Sequence, residues 1–217
     1  MILNVNKPIG WTSADVVRKV KRLTGGRKVG HGGTLDPFAE GVLIIGIDKD
    51  TKMLTSVTSS NKTYKAVLQL GAETDTLDVT GTVVKTKRIP QLSKKKIVEV
   101  FSNYTGELLQ TPPAYSAKKV NGVRSYKIAR QGKVIVHKPV TVHIYSLELL
   151  NFDPRSVCFS VTCSKGTYIR VLGSEIAKSL NTVGYLKELI RTSVGAYFLD
   201  GSKTISELEK EWKHILV

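Results

Sequence analysis

Cysteine is nearly absent from this 217-residue chain, with two in all. Cys158 and Cys163 fall in one expected strand at odd separation, so they should point to opposite faces, and no disulfide is expected between them. Two thiols are also too few for a structural zinc site. A reducing, intracellular setting fits, with cytoplasm and nucleus both open. Long apolar runs are missing too: no stretch approaches the roughly 18 residues that a membrane-spanning helix needs. The opening MILNVNKPIG has neither the basic start and apolar core of a signal peptide nor the Arg- and Ser-rich look of a transit peptide. Internal repeats and low-complexity linkers are lacking as well.

Acid is scarce beside base. The chain has 18 Asp and Glu against 33 Lys and Arg, a net charge of +15. Such an excess favours a polyanionic partner, nucleic acid first and an anionic membrane second. The membrane alternative needs a basic amphipathic helix with bulky apolar anchors. Only Ser93 to Tyr104 approaches one, and its Ile97, Val100, Phe101 and Tyr104 form a stripe that more simply packs on a core. Nucleic acid is therefore expected and a membrane is not. The length suits one sizeable domain, expected over residues 1–217.

The periodicities predict mixed structure. Thr12 or Ser13 caps a helix running to about Thr24, with Val16, Val17, Val20 and Leu23 on one face. Arg18, Lys19, Lys21, Arg22, Arg27 and Lys28 load that helix and its exit with positive charge. Val42 to Ile47 reads as a buried strand, and Lys62 to Leu70 as a strand with Tyr64, Ala66, Leu68 and Leu70 on one face. Gly71 to Thr80 reads as a polar loop before a strand at Gly81 to Thr86. A helix from Ser93 follows, then strands at Thr141 to Leu150 and Val157 to Cys163. A helix carrying Ile169, Leu172, Ile176 and Leu180 is next. A short helix at Gly184 to Ile190, a strand at Ser193 to Phe198 and a helix at Ile205 to Leu216 complete the chain. Without a strict βαβ rhythm, this is an α+β fold with a mixed, largely antiparallel sheet flanked by helices.

The most informative stretch is Gly30 to Gly41, GHGGTLDPFAEG. It sets one acid, Asp36, in a loop of glycine, proline and small residues. Gly30, Gly32 and Gly33 permit positive φ and close approach to a ligand. Pro37 pushes Asp36 towards extended backbone. A tight turn whose Asp bonds its own backbone has the same pattern. Three further blocks stand out: KTYKAVLQLGAETDTLDVTG at 62–81, QTPPAYSAKKVNGVRSYKIARQG at 110–132, and CSKGTYIR at 163–170.

With the start NVNKPIGWTS, these ordered blocks resemble the TruB family of pseudouridine synthases, from about Leu3 to Asp200. The wording HGGTLDP, and TKMLTS at 51–56, lean towards the eukaryotic branch. The resemblance implies a pseudouridine synthase catalytic core that isomerises the uridine at position 55 in the TΨC loop of tRNA, with no metal and no organic cofactor. His31 and Asp36 also lack the further ligands a metal would need. The resemblance makes Asp36 the nucleophile, a role open to a carboxylate, towards either the base or the ribose. Arg170 matches the arginine partner of that Asp, although an arginine near a helix start with no such role would look the same. Tyr64 matches the tyrosine that packs on the target base and takes part in proton removal, and a strand tyrosine facing the core would look the same.

His31 matches a histidine that extrudes or holds the flipped nucleotide. Tyr168 shares the ambiguity of Tyr64. Leu189 is read as an apolar wall near the base and Arg191 as a phosphate ligand. Lys7, Pro8 and Gly10 sit in a motif that braces the catalytic loop. Asp75 and Asp78 are read as polar loop residues, with Asp75 either ordering the active site or contacting the RNA loop, or lying in a solvated turn. Lys118, Lys119, Arg124, Lys127 and Arg130, with Tyr115 and Tyr126 among them, form the expected RNA-gripping surface. Bacterial members carry a C-terminal PUA domain, and none is expected here. The expected protein is a monomer that works without guide RNA or an obligate protein partner, on tRNA and on other RNAs with a similar loop. The alternatives are a non-catalytic RNA-binding or RNA-folding protein on the same scaffold, and a guide-RNA-dependent synthase.

Overall fold

The structure, a computed structural model, describes residues 1–120, 122–129, 131–133, 135 and 137–215, and side chains as far as residue 212. The first elements are β1 (Ile2–Lys7), α1 (Ser13–Leu23), β2 (Val29–Gly32), β3 (Glu40–Ile47), a 3-10 turn (Asp48–Met53) and α2 (Leu54–Ser59). Then come β4 (Lys62–Leu70), β5 (Ala72–Thr74), β6 (Val83–Thr86), α3 (Lys94–Ser102) and β7 (Gly106–Gln110). The middle of the chain holds β8 (Lys119–Val120), β9 (Val123–Arg124), α4 (Ser125–Ala129), β10 (Val140–Asp153) and β11 (Ser156–Cys163). It closes with α5 (Ile169–Ser179), β12 (Gly184–Val194), β13 (Tyr197–Phe198) and α6 (Ile205–Ile215). The fold is α+β, as the pattern predicts.

The chain forms two compact units, Met1–Lys65 with Leu189–Val217, and Ala66–Glu188. The first is built on β3. β1 and β2 pair with it antiparallel, and β12 pairs with it parallel through Ile190↔Glu40 and Arg191↔Gly41. The run Val42 to Ile47 is apolar throughout because both faces are covered. Leu43, Ile45 and Ile47 pack with Val5, Val16, Val20, Leu208 and Trp212. Val42 and Ile44 pack with Leu54, Val57 and Val194. Thr12 caps α1, accepting from the Asp15 amide while the Asp15 carboxylate accepts from the Thr12 amide. That capping box fixes where the helix starts.

In the second unit the sheet runs from the later part of β4 through β11 and β10 to β7. β10 pairs antiparallel with both β11 and β7. Strand β11 alternates perfectly, with Val157, Phe159, Val161 and Cys163 buried. Cys158 and Cys163 therefore face opposite ways, and no disulfide joins them. Ser93 caps α3, whose Phe101 packs edge-on against Phe159 with ring centroids 5.9 Å apart. The ribbon β5–β6 and the hairpin β8–β9 stand off the main sheet.

Several expectations need correction. Gly184 to Ile190 is strand, part of β12, and not a helix. Leu186, Leu189 and Ile190 fit a helical period, but main-chain pairing decides otherwise. Leu186 exchanges backbone bonds with Leu77 and Val79, and Ile190 pairs with Glu40, partners far away in sequence. The expected strand at Ser193 to Phe198 is broken at Gly195, where the chain turns from β12 into β13. The loop at Gly71 to Thr80 contains β5. Strands β1, β2 and β7 and helix α2 are additions to the predicted set.

Candidate active site

Asp36 lies in the first unit on the short link between β2 and β3, and its side chain is half-buried. The link is shorter than the glycine count suggests. Gly30 and Gly32 belong to β2 and do not take positive φ. Their small size serves packing instead, since a Cβ on Gly32 would sit 2.7 Å from Val57 Cγ1. Only Gly33, at φ +91°, uses the left-handed region there. The turn itself closes through the Ala39 amide on the Asp36 carbonyl at 3.1 Å. Leu35, Phe38 and Ala39 are buried and anchor it beneath.

Clamps from four places hold this link. The Ser13 hydroxyl, 3% exposed, accepts from the Leu35 amide at 2.9 Å and donates to the Leu35 carbonyl at 3.1 Å. The Gly10 amide donates to the Pro37 carbonyl at 2.8 Å. The Lys7 ammonium, wholly buried, donates to the carbonyls of Pro8 and Trp11 at 2.9 and 2.7 Å, which shapes the turn carrying Gly10. The KPIG motif thus braces the link that carries Asp36. Arg191, 1% exposed, donates from Nε to the Val42 carbonyl, from Nη1 to Thr34 and from Nη2 to Gly33, at 2.7, 3.4 and 3.2 Å. Its fork is spent on main chain at both ends of the loop, so it is a brace and not an exposed phosphate ligand.

Lys7, Gly41 and Arg191 form one row across β1, β3 and β12. Burial pulls the Lys7 ammonium down to about 8, with the Arg191 charge pushing the same way and Asp36, Glu40 and Asp15 pulling it back up. Two buried cations thus underlie the loop that presents Asp36. His31 sits half-buried on β2 opposite Ile45. Tyr64 on β4 and Leu189 on β12 are 7% and 5% exposed. Lys62, unremarked in the sequence pattern, is buried and donates to the carbonyls of Thr58 and Ser60.

The second unit carries Arg170, in the first turn of α5 and only 4% exposed. It is not a surface arginine. Nη1 lies 3.4 Å from Asp78 Oδ2 and donates to the Thr76 carbonyl at 2.7 Å, while Nη2 donates to the Tyr115 carbonyl at 2.9 Å. These acceptors offset the unfavourable placement of a cation at a helix N-terminus. Asp78, one of the polar loop residues of the sequence pattern, is correspondingly buried. Its Oδ1 accepts from the hydroxyls of Thr76 and Thr80 and from the Thr80 amide. The motif TDTLDVT therefore builds a carboxylate socket for Arg170. Tyr168 caps α5 half-buried, its amide and carbonyl both held by the Gln110 side chain at 2.7 and 3.1 Å. Gln110 was missed in the sequence; a glutamine two residues before the proline pair was the only available signal, and it does not reveal the burial.

Lys119, Arg124 and Lys127 are exposed and Lys118 is half-buried, around the hairpin β8–β9 and helix α4. Lys119 and Arg124 are paired across the hairpin. Like charges directly opposite on two strands repel each other, which an anionic partner relieves. Arg130 lies outside the described residues. Among the described residues, no group of three His, Cys, Asp or Glu side chains could hold a metal ion, and no helix is long and apolar enough to cross a membrane.

The profile of the TruB family pseudouridylate synthase N-terminal domain matches residues 21–169. A tRNA pseudouridine synthase B from Caldanaerobacter subterraneus subsp. tengcongensis is 42% identical over 210 residues, covering 96% of this chain and 74% of that protein. The protein of the same name from Clostridium kluyveri is 46% identical over 210 residues, covering 97% and 72%. These relatives are bacterial, so the eukaryotic leaning of HGGTLDP finds no support among them. By structure, a chain of a Cbf5-Nop10-Gar1 complex aligns with a TM-score of 0.78 at 29% identity, covering all of this chain. A chain of an H/ACA RNP bound to a substrate RNA containing 2′-deoxyuridine aligns at 0.74 with 26% identity. This chain spans 56% and 55% of the length of those two structures.

Proposed function

The chain belongs to the TruB family of pseudouridylate synthases, and from that premise we propose that it isomerises the uridine at position 55 in the TΨC loop of tRNA. It does so alone, as one catalytic domain, without a metal or organic cofactor. The observation that carries this is the presentation of Asp36 on a link clamped by Ser13, Gly10 and Arg191. A nucleophile that must meet a base inside a large RNA gains from being held before the substrate arrives.

The reaction neither gains nor loses atoms. The N1–C1′ bond breaks, the base turns while bound, a C5–C1′ bond forms, the C5 proton leaves and the freed N1 takes one up. Asp36 adds to the base or to the anomeric carbon and departs at the end. The target base leaves its stack first, at a cost of a few kcal/mol. His31 and Tyr64 offer rings for the extruded nucleotide, and Leu189 an apolar wall. Arg170 supplies a cation whose direction Asp78 sets, and Tyr168 stands two residues before it at the helix cap. Lys118, Lys119, Arg124, Lys127 and Arg130 grip phosphates. RNAs that present a similar loop are further substrates. A setting inside the cell fits this substrate.

Purified protein incubated with an unmodified tRNA transcript, followed by pseudouridine mapping, tests the reading. Conversion at one TΨC-loop uridine by wild type, and none by Asp36→Asn, is expected. Equal conversion by Asp36→Asn would remove the nucleophile assignment and favour an RNA-binding protein on this scaffold. The structural relatives come from multi-component particles, which makes a guide-dependent synthase the second reading. Conversion of bare transcript by this chain alone excludes it.

A further inference from the structure

We propose that the end of the first unit formed by the α1 exit and the 3-10 turn is a second phosphate-gripping surface for RNA, separate from the Lys118 segment. The inference rests on the RNA-modifying reading above. Lys21 and Arg22 lie in the last turn of α1, and Arg27 and Lys28 follow its exit. Strand pairing brings a second run alongside. Val29 faces Ile47, and the Asp48 amide donates to the Lys28 carbonyl at 2.8 Å, so Lys49 and Lys52 on the 3-10 turn join the same end. All six cations are exposed.

The acids at this end are already engaged. Asp48 lies 3.5 Å from Arg27 Nε, and Asp50 takes the N-terminal ammonium. The patch keeps a surplus of positive charge: among the described residues Arg22, Lys28, Lys49 and Lys52 form no ion pair, Lys49 attracting only Asp50, which the N-terminal ammonium already holds. Helix-dipole compensation accounts for Lys21 and Arg22 at the α1 C-terminus. Lys52, in the last turn of the 3-10 helix, shares that explanation in part, but Arg27, Lys28 and Lys49 do not. Exposed cations that repel one another without internal partners are favoured when a polyanion covers them.

Position separates this surface from the chemistry. Lys28 enters β2 and Gly33 leaves it, five residues on. At a strand rise of about 3.3 Å per residue, that is roughly 16 Å. A phosphate held at the Lys28 end is therefore not that of the nucleotide at Asp36. The surface contacts a different part of the same RNA and acts on affinity, not on the chemical step.

The experiment compares three full-length proteins binding unmodified tRNA at several salt concentrations. They are wild type, the patch variant Arg22→Gln/Lys28→Gln/Lys49→Gln/Lys52→Gln, and the control Lys85→Gln/Arg88→Gln/Lys94→Gln/Lys95→Gln. The control removes the same charge from exposed positions elsewhere. Each lost phosphate contact lowers the log–log salt slope by roughly 0.7–0.9. The patch variant is expected to lose about 2 or more from the slope and to bind roughly tenfold or more weakly, with kcat at saturating RNA unchanged. The control is expected to stay near wild type. Equal losses in both variants would reduce the effect to net charge and overturn the proposal, as would an unchanged slope in the patch variant. Binding is read without turnover, so a wild type that bound tRNA and made no pseudouridine would sink the functional reading alone.

Discussion

Gly41 lies so close to the backbone of Arg191 that an ideal Cβ at position 41 would stand 2.3 Å from the Arg191 carbonyl oxygen. It also holds φ at +107°. Any side chain there strains the backbone and pushes β3 from β12 at the row that supports the Asp36 link. Gly41→Ala should destabilise the fold by roughly 2–5 kcal/mol. Urea denaturation followed by circular dichroism checks it, and an unchanged midpoint would show that the two strands part without cost.

Arg191 spans three carbonyls with one planar fork, which a lysine cannot reproduce. Arg191→Lys keeps the charge and loses at least one of those bonds. Loss of positioning should lower kcat roughly 10- to 100-fold while KM for tRNA stays within about twofold. Single-turnover rates at saturating protein, set beside binding affinity, separate the two. A rise in KM with kcat intact would restore the phosphate-ligand role.

How much of this was legible beforehand depended on the range of the interactions. β4, β11, α1, α3 and α5 were plain, because alternation, helical stripes and caps lie within a few residues of one another. So were the candidates Asp36, Tyr64 and Arg170, through ordered motifs. The clamps were not. Ser13 reaches Leu35, Arg191 reaches Gly33, and Asp78 meets Arg170, over 22, 158 and 92 positions of chain. No local pattern marks such a partner. For the same reason β12 looked helical: its partners are Glu40, Gly41 and Leu77. Arg191 was found by motif, but its bonds to Val42, Thr34 and Gly33 were not, since sequence shows a cation and not what already occupies it.

Asp78 is the carboxylate beside buried Arg170. Asp78→Asn keeps the shape and can still accept from the Thr80 amide, but removes the negative charge 3.4 Å from the Arg170 guanidinium. Breaking a buried ion pair by removing one partner costs about 3 kcal/mol. The variant should lose that much stability and most of its turnover. Asp78→Glu should recover less than half of each, because the socket of Thr76 and Thr80 fits the shorter acid. Thermal melts paired with pseudouridine formation give both numbers, and a fully active Asp78→Asn would remove Asp78 from the account of Arg170.

Lys7 gives the first unit a pH dependence with a definite sign. Burial, reinforced by Arg191, brings its folded value to about 8, against 10.5 for the ordinary side chain. Below about 8 both folded and unfolded chains carry the proton, and the buried charge weighs fully on the native state. Between about 8 and 10.5 only the unfolded chain holds it. Raising the pH through that window therefore adds stability from this site, and above it the gain is complete. Other lysines titrate nearby, so the comparison must be internal. Lys7→Met removes the titration along with the bonds to Pro8 and Trp11. The stability difference between wild type and Lys7→Met should shift in favour of wild type from pH 8 to pH 10. A parallel pair of profiles would mean that Lys7 keeps its proton across the window, held by Asp36 and Glu40 more strongly than burial expels it.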